Sequence, residues 1–221
     1  MEKNVIVLGL GRFGTTVAKK LFEDGIEVMA VDKDYDLVQA ISDKVTSAVQ
    51  CDISNDKALE ELGIGSFDVA VIATGESLEA SMTATLFAKD HEVSRIIAKA
   101  TSTNHARILK KIGADQIVFP EIDMGEKLAR SISSSNLLQF FHFSDDYSMI
   151  ELKAFDKLVG KSLRDVDFRK KYQMMVIAYK RDGELLINPE PGLKIKEDDT
   201  LVLIGDSDHA DNLQRIVDKY R

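Results

Sequence analysis

The sequence predicts an α/β protein with a doubly wound parallel sheet of six strands, a crossover helical segment and a small α+β domain on its C-terminal side. Short runs rich in Val, Ile and Ala alternate with helical patterns from residue 4 to about residue 119. These runs are almost continuously apolar, which is typical of parallel strands buried on both faces. A change to alternating and hairpin-like patterns near residue 147 predicts the second domain.

The helical segments between the apolar runs often end at glycine, as at Gly25 and Gly113, where a left-handed residue closes a helix. Six strands joined by such crossover helices form a parallel, doubly wound sheet. The predicted strands are residues 4–9, 27–32, 46–52, 69–74, 95–100 and 116–120.

After Pro120 the pattern predicts a long helix or a helix–loop–helix over residues 121–141, broken by a polar run at residues 133–136. Its end is rich in large apolar side chains, which either pack within their own domain or form a docking segment between domains or subunits. We favour docking, because an apolar cluster beside a domain boundary needs a partner. The cluster comprises Leu137, Leu138, Phe140, Phe141 and Phe143.

The second domain is predicted as a compact unit with the order β-α-β-β-β-α. Its elements are a strand at 147–155, a helix at 162–172, a hairpin at 174–188, a strand at 198–206 and a closing helix. We therefore predict two domains, residues 1–134 with the crossover helix and residues 135–221.

Composition limits the classes of function. The 221 residues carry a formal net charge of −8, which argues against a broad surface for nucleic acid because such a surface is basic. The single cysteine, Cys51, fits a reducing compartment and is interpreted as a small buried side chain. Neither a signal peptide nor an apolar run of about 18 residues is visible, so we expect a cytoplasmic protein.

A glycine-rich turn follows the first predicted strand and precedes a helical pattern. Gly9, Gly11 and Gly14 fit G-x-G-x-x-G, in which the glycines allow a tight turn, close approach of a phosphate and close helix–strand packing. The N-terminus of the following helix attracts an anion. The pattern predicts a Rossmann-like, nucleotide-binding fold, and the alternative is a plain sharp turn.

The second strand ends in Asp32, about twenty residues after the turn, where a carboxylate accepts hydrogen bonds from ribose hydroxyls. The same charge disfavours a 2′-phosphate and therefore NADP. The alternative role of Asp32 is a helix cap. These residues predict an adenine nucleotide or dinucleotide, and the fold alone does not select between them.

Other strand ends meet at the same edge of the sheet, so their side chains are candidates for the same ligand. Asp52 would approach adenine or ribose, Lys99 is a cation placed for phosphates, and Arg12 would reach a terminal phosphate or the ligand of a neighbouring subunit. The alternative for Lys99 and Arg12 is a solvated surface side chain. The remaining predicted binding residues are Phe13, Lys33, Ile53, Thr74, Gly75 and Glu76.

No motif of a catalytic site accompanies the glycine turn. The four histidines, His91, His105, His142 and His209, are scattered, and no nucleophile or metal spacing surrounds them. The sequence therefore favours a protein that binds a nucleotide and changes shape over an enzyme. The alternative is an NAD(H)-binding redox sensor or a small NAD-dependent oxidoreductase.

Several longer motifs extend over the whole chain. They are GLGRFG (9–14), AVDKD (30–34), VAVIATGESLEAS (69–81), IIAKA (96–100), KKIGADQIVFPEIDMGEKLA (110–129), DVDFRKKY (165–172) and VIAYKR (176–181). With them the chain resembles the regulatory subunits of Ktr/Trk-type potassium transporters, which combine an RCK (KTN) domain with an RCK-C domain. The likeness is greatest to the soluble Ktr gating subunit. Trk-type subunits with NAD control often carry two such domain pairs, whereas this chain shows a single pair, which favours the Ktr type.

The resemblance implies a cytoplasmic, non-catalytic gating subunit that forms dimers and then an octameric ring under an integral-membrane potassium channel subunit. ATP and ADP would bind at Gly9, Gly11 and Gly14, with Asp32 on the ribose and Asp52 near the base. Arg12 would approach the γ-phosphate of a nucleotide across the dimer, which gives ATP and ADP different effects.

The resemblance also implies two further ligands. Glu121 matches an acid of a divalent cation site for Mg²⁺ or Ca²⁺ between subunits, and its alternative role is a helix-start acid. The family often has His where this chain has Phe119.

In the second domain, Arg169 and Tyr172 match a site for cyclic di-AMP, in which arginine holds phosphate and apolar groups flank adenine. Phe168, Met175 and Pro191 lie near them in the matching stretch. The chain departs from the family at Met174-Met175, where relatives often carry Ile-Asn. The alternative for Arg169 and Tyr172 is an ordinary interface or surface role.

Overall fold

The computed structural model describes residues 3–75, 77–133, 137–142 and 146–218, and it divides into two compact units, residues 1–121 and 122–221. From the sequence, the crossover helix was predicted to belong to the first domain, up to residue 134. In this division its residues from Ile122 onward belong to the second unit.

The first unit contains a six-stranded, fully parallel sheet with the strand order β3-β2-β1-β4-β5-β6. Its strands are β1 (Asn4–Leu8), β2 (Glu27–Asp32), β3 (Ser47–Gln50), β4 (Val69–Ile72), β5 (Arg95–Lys99) and β6 (Gln116–Val118). Its helices are α1 (Arg12–Glu23), α2 (Tyr35–Ile41), α3 (Asp56–Glu61), α4 (Leu78–Asp90) and α5 (Thr103–Lys111), with a 3-10 turn at Ile64–Ser66. The doubly wound, Rossmann-like prediction is confirmed.

Both faces of this sheet are covered, which explains why its strands read as continuous apolar runs. On β1, Ile6 and Leu8 belong to one apolar core, whereas Val5 and Val7 belong to the core on the opposite face. The strand order reverses at β1, which lies between β2 and β4. A crevice for a ligand forms at the carboxyl ends of strands at such a reversal, and the glycine turn follows β1 at this point.

The second unit contains an antiparallel five-stranded sheet with the order β10-β9-β11-β8-β7. Its strands are β7 (Leu137–His142), β8 (Tyr147–Lys153), β9 (Met174–Arg181), β10 (Glu184–Ile187) and β11 (Thr200–Asp206). Its helices are α7 (Leu163–Val166), α8 (Phe168–Tyr172) and α9 (Ser207–Asp218), and α6 (Pro120–Ser133) runs into it from the end of the first unit.

The prediction of helix up to residue 141 is wrong at its end, because residues from Leu137 form the strand β7. Phe140 lies opposite Ile150 and Phe141 opposite Met149 in the antiparallel pairing with β8. Aromatic residues favour strands, and β8 offers a partner strand that helical periodicity cannot reveal. The Lys127 ammonium lies 5.5 Å from the centre of the Phe141 ring. Phe143 lies outside the described residues, and docking by this segment stays a prediction.

The remaining elements of the second unit follow their local signals. The predicted helix at 162–172 is split into α7 and α8 at Asp167, which adopts a left-handed conformation with φ +47°. Ser162 caps α7 as predicted, through a capping box with Asp165. Asp182 and Gly183 both have positive φ in the β9–β10 hairpin turn.

No helix among the described residues is both long enough and apolar enough to cross a lipid bilayer.

Candidate nucleotide site and a second concavity

Two glycines of the turn between β1 and α1 are required by close packing. Gly9 has φ +104°, its N–H donates to the carbonyl of Val31 (2.8 Å), and a Cβ on it would lie 2.8 Å from the amide nitrogen of Thr74. A Cβ on Gly14 would overlap the carbonyl oxygen of Gly9. These glycines therefore hold β1, α1 and the end of β4 together, as a Rossmann turn requires.

The middle glycine faces open space. Gly11 is the N-cap of α1, and apart from its two chain neighbours no atom of the described residues lies within 4 Å of the place where its Cβ would be. The first turn of α1 itself carries no acidic residue that would offset the partial positive charge of the helix N-terminus. This open, electropositive cradle fits a phosphate group.

Asp32 holds the backbone of the glycine turn in place by hydrogen bonds. Its Oδ2 accepts a hydrogen bond from the Leu10 N–H (2.6 Å) and its Oδ1 accepts one from the Asp34 N–H (2.9 Å). The cap of α2 is Asp34, whose side chain accepts from the Asp36 N–H, so Asp32 is not the helix cap. Each carboxylate oxygen has a second lone pair, which leaves capacity for a ribose hydroxyl.

The end of β3 contributes mainly exposed groups. The Asp52 carboxylate accepts hydrogen bonds from the Ser54 N–H (3.0 Å) and O–H (2.7 Å), and these bonds lower the pKa of Asp52. Lys33 is exposed, and its charge contributes to the same shift. The side chain of Ile53 is buried in one core and Phe13 packs against the other, so the Ile53 side chain does not face a ligand.

The ends of β4 and β5 meet beside Gly75. A Cβ on Gly75 would lie 3.4 Å from Lys99 Nζ and 3.3 Å from Thr101 Cγ2. Lys99 donates to Glu121 Oε1 at 2.5 Å, and this hydrogen bond lowers the pKa of Glu121. Thr74 is half-buried, and Glu76 lies outside the described residues.

Arg12 is the first residue of α1 and is exposed to solvent. Its guanidinium makes no hydrogen bond or ion pair with any residue that the structure describes. An exposed arginine without an internal partner, placed beside an anion cradle, is available to a ligand or to a neighbouring subunit.

The predicted divalent cation site is not assembled within one chain. Among the described residues no group of three or more His, Cys, Asp or Glu side chains comes together, and Glu121 is paired with Lys99. A hard cation takes at least six oxygen ligands, so a site at Glu121 needs ligands from water, nucleotide or another subunit.

Sequence reasoning missed the group of residues behind Gly75. The His105 side chain is buried, its Nδ1 accepts from Thr101 at 3.4 Å, and its Nε2 has no partner among the described residues. Burial lowers the pKa of His105, because desolvation disfavours the charged ring. The sequence gives only a slight indication that these residues lie at the ligand-binding edge of the sheet. Thr101 follows β5 by two residues, and His105 lies in the first turn of α5.

The second unit has a concavity of about 240 Å³ at the junction of α8, β9 and β11. It is lined by Arg169, Gln173, Met174, Met175 and Ile204. Arg169 and Met175 thus lie together at this concavity, whereas Tyr172 packs against Phe168 and the domain core and does not line it. Gln173, which was not among the predicted site residues, adds an exposed amide and has a left-handed backbone (φ +55°).

The fold and the cradle define a class of protein in which a Rossmann-like unit, of the kind that binds nucleotides, is followed by a small α+β unit. Residues 5–120 match the TrkA-N domain family and residues 148–218 match the TrkA-C domain family, so the chain belongs to the TrkA-N/TrkA-C family. The resemblance deduced from the sequence is confirmed.

Relatives of established name support this assignment. The chain is 40% identical over 205 residues to "Ktr system potassium uptake protein C" of Bacillus subtilis, covering 93% of both chains. It is 39% identical over 214 residues to "Ktr system potassium uptake protein A" of the same organism, covering 97% of this chain and 95% of the relative. Among solved structures, the GsuK RCK domain shares the fold with a TM-score of 0.67 and 18% identity, covering 98% of this chain and 48% of that one.

Proposed function

We propose that this chain is a non-catalytic regulatory subunit of a potassium uptake system, controlled by a nucleotide at the glycine turn. The observation that carries the proposal is the open cradle at Gly11 beside the exposed Arg12, which has no ion pair with the described residues, in a chain about 40% identical to Ktr proteins over nearly its whole length. The partner is an integral-membrane potassium channel or transporter subunit. The chain acts from the cytoplasmic face, as a ring of eight copies assembled from dimers.

ATP and ADP are the proposed ligands. Asp32, which accepts from the Leu10 and Asp34 N–H groups, keeps acceptor capacity for the ribose hydroxyls, and its charge disfavours a 2′-phosphate. Arg12 supplies a cation that only the longer phosphate chain of ATP reaches across a dimer, and a ligand shifts a conformational equilibrium only through such differential contacts. Glu121 of each subunit, with water and phosphate oxygens, would complete a site for Mg²⁺ or Ca²⁺ between subunits. Binding energy alone supplies the switch, and no hydrolysis is needed.

Arg12→Ala is expected to weaken ATP binding about tenfold or more and ADP binding less than about twofold. A charge-assisted hydrogen bond to phosphate contributes about 1.5–3 kcal/mol, and it is lost only for the ligand that reaches the guanidinium. Calorimetry on nucleotide-stripped protein, with ATP, ADP and NADH in parallel, measures the effect.

Lys20→Ala is the matched control, because it removes a cation from the other end of α1, where Lys20 pairs with Asp24. It should leave both affinities unchanged. Equal losses for ATP and ADP in Arg12→Ala would refute the γ-phosphate role. NADH binding much tighter than ATP binding would replace the proposed function by the NAD(H)-sensor alternative.

We further propose cyclic di-AMP as an inhibitory ligand of the second unit, at the concavity lined by Arg169. Arg169 offers a bidentate donor to a phosphate, and Met175, 48% exposed, offers an apolar surface to adenine. The side-chain amide of Gln173 would hydrogen-bond the adenine base. It would replace the amide that relatives with Ile-Asn have at the position of Met174-Met175.

Arg169→Ala is expected to reduce cyclic di-AMP affinity about tenfold or more and to leave ADP binding at the glycine turn unchanged. Arg164→Ala is the matched control, since Arg164 is an exposed arginine on α7 that does not line the concavity. Calorimetry with cyclic di-AMP separates the variants. The proposal for this ligand fails if the two variants bind it alike.

A further inference from the structure

We propose that Lys99 is a shared cation, whose ammonium neutralises either Glu121 or a phosphate of the nucleotide bound at the glycine turn. Nucleotide binding and the Lys99–Glu121 ion pair then compete. The inference rests on the nucleotide-binding function proposed above, and it assigns to this pair a role that sequence reasoning did not give it.

The ion pair is asymmetric in its exposure. Lys99 is the last residue of β5 and its side chain is only 13% exposed, whereas Glu121, the second residue of α6, has a side chain that is 67% exposed. Lys99 Nζ and Glu121 Oε1 lie 2.5 Å apart. A cation with so little access to water needs an anionic partner, but the largely solvated carboxylate of Glu121 holds it only weakly.

A continuous series of close contacts places the ammonium near the cradle. Thr74 packs directly on Gly9, since its amide nitrogen is 2.8 Å from the position of a Cβ on Gly9. The next residue, Gly75, has Lys99 Nζ 3.4 Å from the position of its own Cβ. The ammonium therefore lies against the same loop that forms one wall of the glycine turn, and Gly75 puts no side chain in its way.

The chemistry of lysine suits such an exchange. Its ammonium has three donors on a flexible stem, so it turns between two acceptors without a change of the backbone. A phosphate chain carries more negative charge than one carboxylate, so a bound nucleotide attracts the ammonium away from Glu121. Glu121 then loses its counter-charge at the first turn of α6. Nucleotide binding at the glycine turn therefore changes the ion pairing of Glu121 at the start of α6.

A double-mutant cycle tests the competition. ADP affinity is measured by calorimetry for wild type, Glu121→Gln, Lys99→Met and the double variant, in EDTA so that no divalent cation links Glu121 to the ligand. Removing the competitor should raise ADP affinity about threefold to tenfold in Glu121→Gln, and Lys99→Met should lower it about tenfold. In the Lys99→Met background, Glu121→Gln should change affinity by less than about twofold.

Asp123→Asn, which removes an exposed acid from the same helix, controls for the general loss of negative charge and should match wild type. The competition is refuted if Glu121→Gln binds ADP no better than wild type, or if its effect is equal in both backgrounds. Absence of ADP and ATP binding by wild type would instead overturn the proposed function, and this inference with it.

Discussion

Gly14→Ala is expected to lower the free energy of unfolding of the first unit by about 3 kcal/mol, within the upper range of overpacking effects. The new methyl group would overlap the carbonyl oxygen of Gly9 and lie 3.0 Å from the Cβ of Ala73. The obstacle is backbone, which cannot rotate aside as a flexible side chain does, so α1 must move away from β1 and β4. Thermal and urea unfolding followed by circular dichroism measure the change.

Gly11→Ala is the matched variant in the same turn and separates stability from binding. Apart from its two chain neighbours, no atom of the described residues lies within 4 Å of the position of its Cβ, and its φ of −63° is accessible to alanine. Its stability should therefore stay within about 0.5 kcal/mol of wild type. If phosphate occupies the open space, the methyl group should weaken ADP and ATP binding about tenfold or more. Undiminished binding by Gly11→Ala would contradict a phosphate at this position.

The first unit could be predicted from the sequence because its signals are local. Strands buried on both faces are continuously apolar, and the glycine turn has a fixed spacing between strand and helix. The same spacing identifies Asp32, although the sequence could not show that the Leu10 N–H occupies one of its oxygens. The residues around the glycine turn could be named from the sequence because each lies within a short stretch or at a strand end, and their role in binding stays a prediction.

The structure differs from prediction where contacts join distant parts of the chain. β7 was read as helix because its partner β8 is needed to recognise it as a strand. Lys99 was predicted as a phosphate ligand, and its pairing with Glu121, 22 residues away, depends on where β5 and α6 meet. Gln173 was not predicted to line the concavity, because its position there depends on a left-handed backbone conformation between α8 and β9. No periodicity carries such information.

Arg181→Met is expected to destabilise the second unit by about 3 kcal/mol. The Asp199 side chain is 1% exposed and receives two hydrogen bonds from Arg181, both 2.7 Å, besides one from the Lys196 N–H. Arg181 also donates to the carbonyl of Lys194 at 2.9 Å. Removing the guanidinium leaves the buried Asp199 carboxylate with a single hydrogen-bond donor. Losing one partner of a buried ion pair lowers the free energy of unfolding far more than losing one partner of an exposed pair. Urea unfolding of the full chain, followed by circular dichroism, measures the loss.

Lys153→Met provides the matched control, because Lys153 pairs with the adjacent Asp198 at 3.6 Å with both side chains well exposed. It should change stability by less than about 0.5 kcal/mol. The double variant Arg181→Met/Asp199→Asn should recover part of the loss, since it removes the unpaired charge together with its former partner. Equal destabilisation by the Arg181 and Lys153 variants would show that the ion pair contributes nothing beyond a surface contact.

The pH dependence of the same variants gives an independent sign test. In wild type, burial alone would raise the pKa of Asp199, but the hydrogen bonds from Arg181 and Lys196 and the charge of Arg181 outweigh it and lower that pKa. The folded-state pKa thus lies below the unfolded value of 3.8, so this contribution is complete above about pH 4 and is lost as pH falls through the folded-state pKa. Without Arg181, burial dominates and raises the folded-state pKa of Asp199 above the unfolded one, which reverses the sign of its pH dependence.

The loss of stability in Arg181→Met, relative to wild type, should therefore shrink as the pH is lowered from 7 toward 4. A deficit that stays constant over this range would mean that Asp199 is not left as a buried, unpaired carboxylate.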